Sequence, residues 1–334
     1  MSRLPGIATH YRKLLPLFPW AIERFALEGY DVVVSVSHAV AKGIRVAPGI
    51  PHVCYCLTPM RYVWDQADAY LGRGVRRALA RPLVSYLRRF DQRTSRADRV
   101  TEFIAISAAV ADRIQRHYAR RAPVLYPPVD VDRIQIREGG REEFYLLVGG
   151  FVPYKREDLA LAAFRLLGTP LLVVGDGPRR KKLERDAPAN VRFLGRVSDA
   201  ELAELYARCR ALVYPQEEDF GIIAVEAQAA GTPVIAFGSG GATETVIPIN
   251  GAHESAPTGV WFHDAKPQAL VEAIRHFETV ETAFDPKAIR AHAESFSAGR
   301  FRREFSTAIE ALAARGGAHA PTRSIQPGIV PGHE

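Results

Sequence analysis

From Glu143 onward, short apolar runs alternate with stretches whose apolar residues fall three and four apart. The runs are EFYLLVGG (Glu143–Gly150), PLLVVGDG (Pro170–Gly177), NVRFLG (Asn190–Gly195), RALVYP (Arg210–Pro215), TPVIAFG (Thr232–Gly238) and GVWFH (Gly259–His263). Near-continuous apolarity over so few residues predicts strands buried on both faces. The segments Glu157–Leu167, Arg179–Asp186, Ser198–Arg208, Gly221–Ala230 and Pro267–Glu278 carry the helical spacing. Strand and helix in alternation predict an α/β doubly wound parallel sheet, with a ligand at the strands' C-terminal ends.

The first part of the chain is poorer in strands. YDVVVSVS (Tyr30–Ser37), PHVCYCL (Pro51–Leu57), EFIAIS (Glu102–Ser107) and PVLYPP (Pro123–Pro128) are the candidates. Met1–Phe25 shows no opening strand and no glycine-rich turn, so the chain is expected to begin partway into its first domain. Between Arg73 and Arg96, Val75, Leu79, Leu83, Tyr86 and Phe90 recur at helical spacing, with Arg76, Arg77, Arg88, Arg89 and Arg93 mostly on other faces. Pro82 is expected to kink this helix. A basic amphipathic helix suits an anionic membrane surface, and it equally suits a core helix with a solvated arginine face.

Length and charge narrow the field. At 334 residues two domains are expected: 1–138, 139–314, and a disordered tail over 315–334, where Gly, Pro, His and Ser accumulate. A net charge of +7 favours an anionic partner without naming it. No helix-turn-helix, zinc-finger or RNP-like motif accompanies the charge, so nucleic acid is not expected. Three cysteines are too few for a disulfide framework, and Cys54 and Cys56 read as a buried strand rather than a metal site. No run reaches the roughly 18 apolar residues of a membrane span, and no signal-peptide core opens the chain. A cytoplasmic protein, peripheral at most, is expected.

The segment EEDFGIIAVEAQAAGTPVIA (Glu217–Ala236) poses the chemical question. A helix beginning after Gly221 turns unpaired N–H groups and the positive end of its dipole toward an anion. Glu226 would sit beside that anion, able to accept from sugar hydroxyls. The plain alternative is a helix-start carboxylate at Glu218 and a solvated face charge at Glu226.

This stretch resembles the E-x7-E motif of family 4 glycosyltransferases, a GT-B family of two facing Rossmann-like domains. GGFVPYKREDLALAAF (Gly149–Phe164) resembles the family's phosphate-contacting strand, loop and helix, and VVGDGPRRKKLE (Val173–Glu184) its GDGP turn. VRFLGRVSDAELAELYARCRALVYP (Val191–Pro215) resembles its base-binding region. YDVVVSVSHAVAKGI, HVCYCLTPMRYVWD and FIAISAAVADRI are similar to the branch of O-antigen and exopolysaccharide mannosyltransferases. The resemblance extends to about Ala314 and implies a first domain lacking its opening strand, turn and helix.

What the resemblance implies is a retaining hexosyltransferase. GDP-mannose would be the donor and a lipid-linked saccharide the acceptor, at the membrane's cytoplasmic face, with no metal and no cofactor. Glu218 would lie near the transferred sugar, and backbone N–H groups of Phe220, Gly221 and Ile222 would hold its hydroxyls or the diphosphate. Glu226 would accept from the ribose, and Lys155 would neutralise the diphosphate, with Arg156 adjacent. Gly175 and Gly177 would admit close backbone approach, and Arg196 and Val197 would border the base. Two positions depart from the pattern. Gly150 stands where many members carry arginine, and Leu57 stands where the branch carries histidine, with His38 and His52 the nearest imidazoles. A protein that binds nucleotide without transfer, and a GT-B epimerase or phosphorylase, are the alternative readings.

Overall fold

The computed structural model describes residues 11–65, 75–249 and 256–316. The strands are β1 (Ala26–Leu27), β2 (Val33–Ser37), β3 (Arg45–Val46), β4 (His52–Cys56), β5 (Glu102–Ala105), β6 (Tyr145–Val148), β7 (Leu171–Val174), β8 (Val191–Gly195), β9 (Ala211–Tyr214), β10 (Val234–Phe237) and β11 (Gly259–Phe262). The helices are α1 (Phe18–Ile22), α2 (Val75–Arg93), α3 (Ala108–Tyr118), α4 (Glu157–Leu167), α5 (Arg180–Asp186), α6 (Asp199–Arg208), α7 (Ile222–Ala229), α8 (Ala242–Thr245), α9 (Pro267–Val280), α10 (Pro286–Glu294) and α11 (Ala298–Gly316).

All six apolar runs of the second part become strands of one parallel sheet, in the order β11-β10-β9-β6-β7-β8. Strand order reverses between β6 and β9, which opens a crevice beyond their C-terminal ends. On one face Tyr145, Leu147 and Val213 pack with Phe164 of α4 and Phe277 of α9, all buried. The other face joins a core continuous with the first part.

That first part holds a parallel three-stranded sheet, β2-β4-β5, and the small parallel pair β1-β3. Ser107 caps α3 by accepting from the Val110 N–H (3.1 Å). The last helix among the described residues, α11, packs against this sheet: Phe301 and Phe305 meet Tyr55 edge-on at 5.6 and 5.9 Å. Sequence reasoning assigned residues 139–314 to the second unit, yet this final helix serves the first.

Two expectations are corrected. Pro123–Pro128 forms a single bridge, Ala105 to Val124, instead of a strand. Prolines at 123, 127 and 128 cannot donate ladder hydrogen bonds. Pro82 lies inside the helix over Val75–Arg93, which runs on past it. Its buried side is centred on Leu87 and Phe90, while Leu79 and Tyr86, assigned to one apolar stripe with Phe90, are 78% and 43% exposed. Arg73 and the tail from residue 317 lie outside the described residues.

Candidate functional site

Lys155 and Glu218 meet at the strand-order reversal. Lys155 ends a short 3-10 turn, Pro153–Lys155, in the loop that leaves β6. Glu218 lies in the loop that leaves β9 and forms an ion pair with the Lys155 ammonium. Both side chains are largely buried. Burial pushes the Lys155 pKa down to about 8, an effect opposed by Glu157 and reinforced by Arg61.

The N-terminus of α7 opens beside this pair. Gly221 is its N-cap, with φ +96°, and no side chain caps the helix. A Cβ at Gly221 would stand 2.6 Å from the Tyr214 hydroxyl, so glycine is required twice over, by backbone and by space. The carbonyl of Glu218 accepts from Gly241 N–H (2.8 Å), which ties the β9 loop to the β10 loop. Phe220 is buried against Tyr126 and Phe296, and its backbone lies so close to Gly241 that a Cβ there would collide with it. A cation, uncapped N–H groups and a carboxylate around one crevice can hold a polyanion with hydroxyls attached.

The glycine turn behind Lys155 is close-packed. At Gly175 (φ +134°) a Cβ would fall on the Gly149 carbonyl, and at Gly177 it would crowd the Phe151 backbone. Gly150 differs, for the nearest atom to a Cβ there is the Asp176 carbonyl oxygen at 3.9 Å. Arg156 adopts φ +57° as the N-cap of α4, and its guanidinium donates to the Ala265 carbonyl (3.2 Å).

Other expected residues sit further out. Glu226 is engaged by Arg133 (2.6 Å) and by the Tyr206 hydroxyl (3.0 Å). Arg196 is exposed, 3.9 Å from Asp176. Val197 lines a surface hollow with Leu194, Glu201 and Leu205. Leu57 is half-buried in the core. His52 is buried at the start of β4, bonded to the Arg99 carbonyl (2.7 Å) and to Ser35 (2.9 Å), away from the crevice. Among the described residues no group of His, Cys, Asp and Glu could hold a metal ion.

The first part contributes residues that sequence reasoning missed. Arg61 and Arg113 both donate to Asp219 Oδ1, and Arg113 also reaches Glu217 (3.2 Å). Arg61, Asp65, Arg113, Tyr154, Arg156 and Glu217 line a cavity of about 260 Å³ between the two sheets. Arg61 was visible in the sequence as the arginine of CLTPMR. What sequence could not supply was its partner, 158 residues away.

Residues 2–133 match the family model described as Glycosyltransferase Family 4, and residues 129–293 match that of Glycosyl transferases group 1. An uncharacterized glycosyltransferase of Methanocaldococcus jannaschii, MJ1178, is 34% identical over 163 residues, covering 47% of this chain and 45% of that protein. O-antigen chain mannosyltransferase C of Escherichia coli is 28% identical over 172 residues, covering 48% and 45%. D-rhamnosyltransferase WbpZ of Pseudomonas aeruginosa is 33% identical over 158 residues, covering 45% and 40%. The chain thus spans about half the length of the curated relatives it matches. Among solved structures, sucrose-phosphate synthase from Thermosynechococcus elongatus superposes with a TM-score of 0.67 at 19% identity, over 92% of this chain and 79% of that one. Anabaena Alr3699/HepE in complex with UDP superposes with a TM-score of 0.61 at 17% identity, over 89% and 95%. The fold is GT-B, and the chain matches the family 4 glycosyltransferase model in its first part and the group 1 glycosyl transferase model in its second.

Proposed function

We propose that this chain transfers a hexose from a nucleotide sugar with retention at the anomeric carbon, mannose from GDP-mannose being the donor read from the sequence. The observation that carries the proposal is the Lys155–Glu218 pair, set beside the uncapped start of α7 at the strand-order reversal. A nucleoside diphosphate would take Lys155 and the helix N-terminus, freeing the Glu218 carboxylate for hydroxyls of the sugar. In the transfer step the bond from the anomeric carbon to the diphosphate oxygen breaks. The acceptor hydroxyl forms its bond on the same face, and its proton passes to the departing phosphate oxygen. Lys155 and the α7 N–H groups stabilise the charge that develops on that leaving group. Glu226, held by Arg133 and Tyr206, would meet the ribose.

Mannose is supported by the similarity to an O-antigen chain mannosyltransferase. UDP is the competing nucleotide, since a protein of like fold binds it. The acceptor is proposed to be a lipid-linked saccharide at the inner membrane face, approached through α2. Exposed Leu79 and Tyr86 beside Arg88, Arg89 and Arg93 support that contact. A nucleotide-binding protein without transfer is the second reading, favoured by the bare Gly150 and the apolar Leu57.

Thermal-shift titration with GDP, UDP and ADP, with mannose transfer from GDP-mannose measured in parallel, tests both readings. Stabilisation by GDP together with transfer supports the first, and stabilisation without transfer supports the second. No stabilisation by any diphosphate removes the site altogether, because a ligand that binds only the folded state must stabilise it.

A further inference from the structure

Arg61 is a cation in an unusual position. It belongs to the first part, in the loop after β4, yet its side chain reaches the C-terminal ends of the other sheet. There it pairs with Asp219, the residue after Glu218, and its field acts on both Lys155 and Tyr214. Its base is firmly held. Met60 and Val63 on either side are buried against Leu87 and Phe90. Arg88 donates to the Val63 carbonyl (2.6 Å), and the Trp64 indole donates to Asp91 (2.7 Å).

Two details mark Arg61 as available for a second partner. Its Nε is buried without a hydrogen-bond acceptor, although a guanidinium offers five donors and a buried one is costly to leave unmet. Asp219, meanwhile, does not depend on Arg61, because Arg113 also holds its carboxylate. Removing Arg61 from Asp219 therefore strands no charge. Gly150, on the Lys155 side of the crevice, supplies no side chain at all despite having room for one.

We propose that Arg61 is the second cation of the donor diphosphate site, delivered by the opposite domain and parked on Asp219 until the nucleotide arrives. This rests on the nucleotide-sugar reading of the site. One phosphate meets Lys155 and the start of α7, and the Arg61 guanidinium meets the other. A diphosphate anion competes well with a carboxylate already satisfied by Arg113, because planar guanidinium donors match phosphate oxygens two at a time. Donor binding then draws the two domains together through the ligand itself.

Calorimetry on the whole 334-residue chain tests this, with GDP, UDP and the corresponding monophosphates and no acceptor present. Arg61→Ala is expected to weaken binding of the preferred diphosphate roughly 10- to 100-fold, the range for a hydrogen bond to a charged group, and to spare the monophosphate. Arg61→Lys should recover part of the loss. Asp219→Asn should tighten diphosphate binding, since the competing charge is gone. Unchanged diphosphate affinity in Arg61→Ala, or equal losses for mono- and diphosphate, would overturn the proposal. Should Arg61→Ala fail to fold, Asp219→Asn decides: tighter binding supports the proposal, and unchanged or weaker binding refutes it. Wild-type protein that binds no diphosphate would instead bring down the nucleotide-sugar reading, and this inference with it.

Discussion

Glu244, in the second part, accepts hydrogen bonds from the backbone N–H groups of Ala108 (2.7 Å) and Ala109 (3.1 Å), at the start of α3 in the first. A carboxylate at a helix N-terminus satisfies orphan donors and meets the positive end of the dipole. The contact bridges the crevice, with Arg61 and Arg113 on Asp219 and Arg133 on Glu226 as its companions. Glu244→Ala should therefore loosen the pairing of the two domains at a cost of about 1.5–3 kcal/mol. Small-angle scattering should show a larger radius of gyration at low nucleotide concentration. An unchanged radius would assign closure to the arginine pairs alone.

If Lys155 holds the donor diphosphate as proposed, it sets a pH limit on binding. With its pKa lowered to about 8 by burial, the free protein loses this cation as pH rises through 8. Diphosphate affinity should accordingly be highest below that value and fall above it. Lys155→Ala should weaken binding by about 1.5–3 kcal/mol at pH 7 and abolish the pH step. A step of the same size in the variant would assign the titration to another group.

The sheet of the second part could be read from the sequence because its strands are short, apolar on both faces and bounded by Gly and Pro. Each run from Glu143 to His263 reappears within a few residues of its predicted ends. Lys155 and Glu218 are named through the resemblance of their segments to family 4 motifs, and the structure brings the two together in loops that leave β6 and β9. The first part was less legible. Pro123–Pro128 has strand-like side chains but too few N–H donors. In α2, Leu79 and Phe90 share a helical stripe, but only the end bearing Phe90 meets the protein core. The contacts of Arg61, Arg113 and Glu244 join residues more than a hundred positions apart, and no local pattern encodes them.

Glu157 stores a pH-dependent strain. It opens α4 and is 2% exposed; Arg179 lies 3.5 Å away, and the backbone N–H groups of Glu157 and Val152 only partly offset the cost of burying the carboxylate. Burial raises its pKa from 4.5 to about 7. A group with a higher pKa in the folded state binds more protons when folded, so its contribution is full below pH 4.5 and is lost as pH rises toward 7. The loss amounts to at most about 3 kcal/mol. Glu157→Gln should remove it, raising the melting temperature at pH 8 more than at pH 5. An equal effect at both values would mean that Glu157 is ionised throughout.

Gly175→Ala should be among the most damaging small substitutions. The added Cβ meets the Gly149 carbonyl, and alanine resists φ +134°. Overpacking and backbone strain each cost about 1–3 kcal/mol, so urea unfolding should shift by several kcal/mol. Gly150→Ala, with open space around it, should change stability by less than about 1 kcal/mol. Equal effects at the two glycines would show that the turn relaxes freely.

The loop that carries Arg61 is anchored on a buried charge. Asp91 is fully buried and pairs with Lys42, itself 2% exposed. It also accepts from the Trp64 indole and the Tyr118 hydroxyl, each at 2.7 Å. Removing one member of such a pair leaves an uncompensated charge, so Asp91→Ala should cost about 3–5 kcal/mol. Replacing both charges, as in Lys42→Met with Asp91→Leu, removes that penalty but leaves the Trp64 and Tyr118 donors without an acceptor. The double variant should therefore recover only part of the loss, because each stranded donor costs about 1–3 kcal/mol. Urea unfolding of the wild type, the single variant and the double variant measures both terms. A double variant as stable as the wild type would mean that Trp64 and Tyr118 find other acceptors. Trp64 would then not fix the backbone from which Arg61 crosses to the opposite domain.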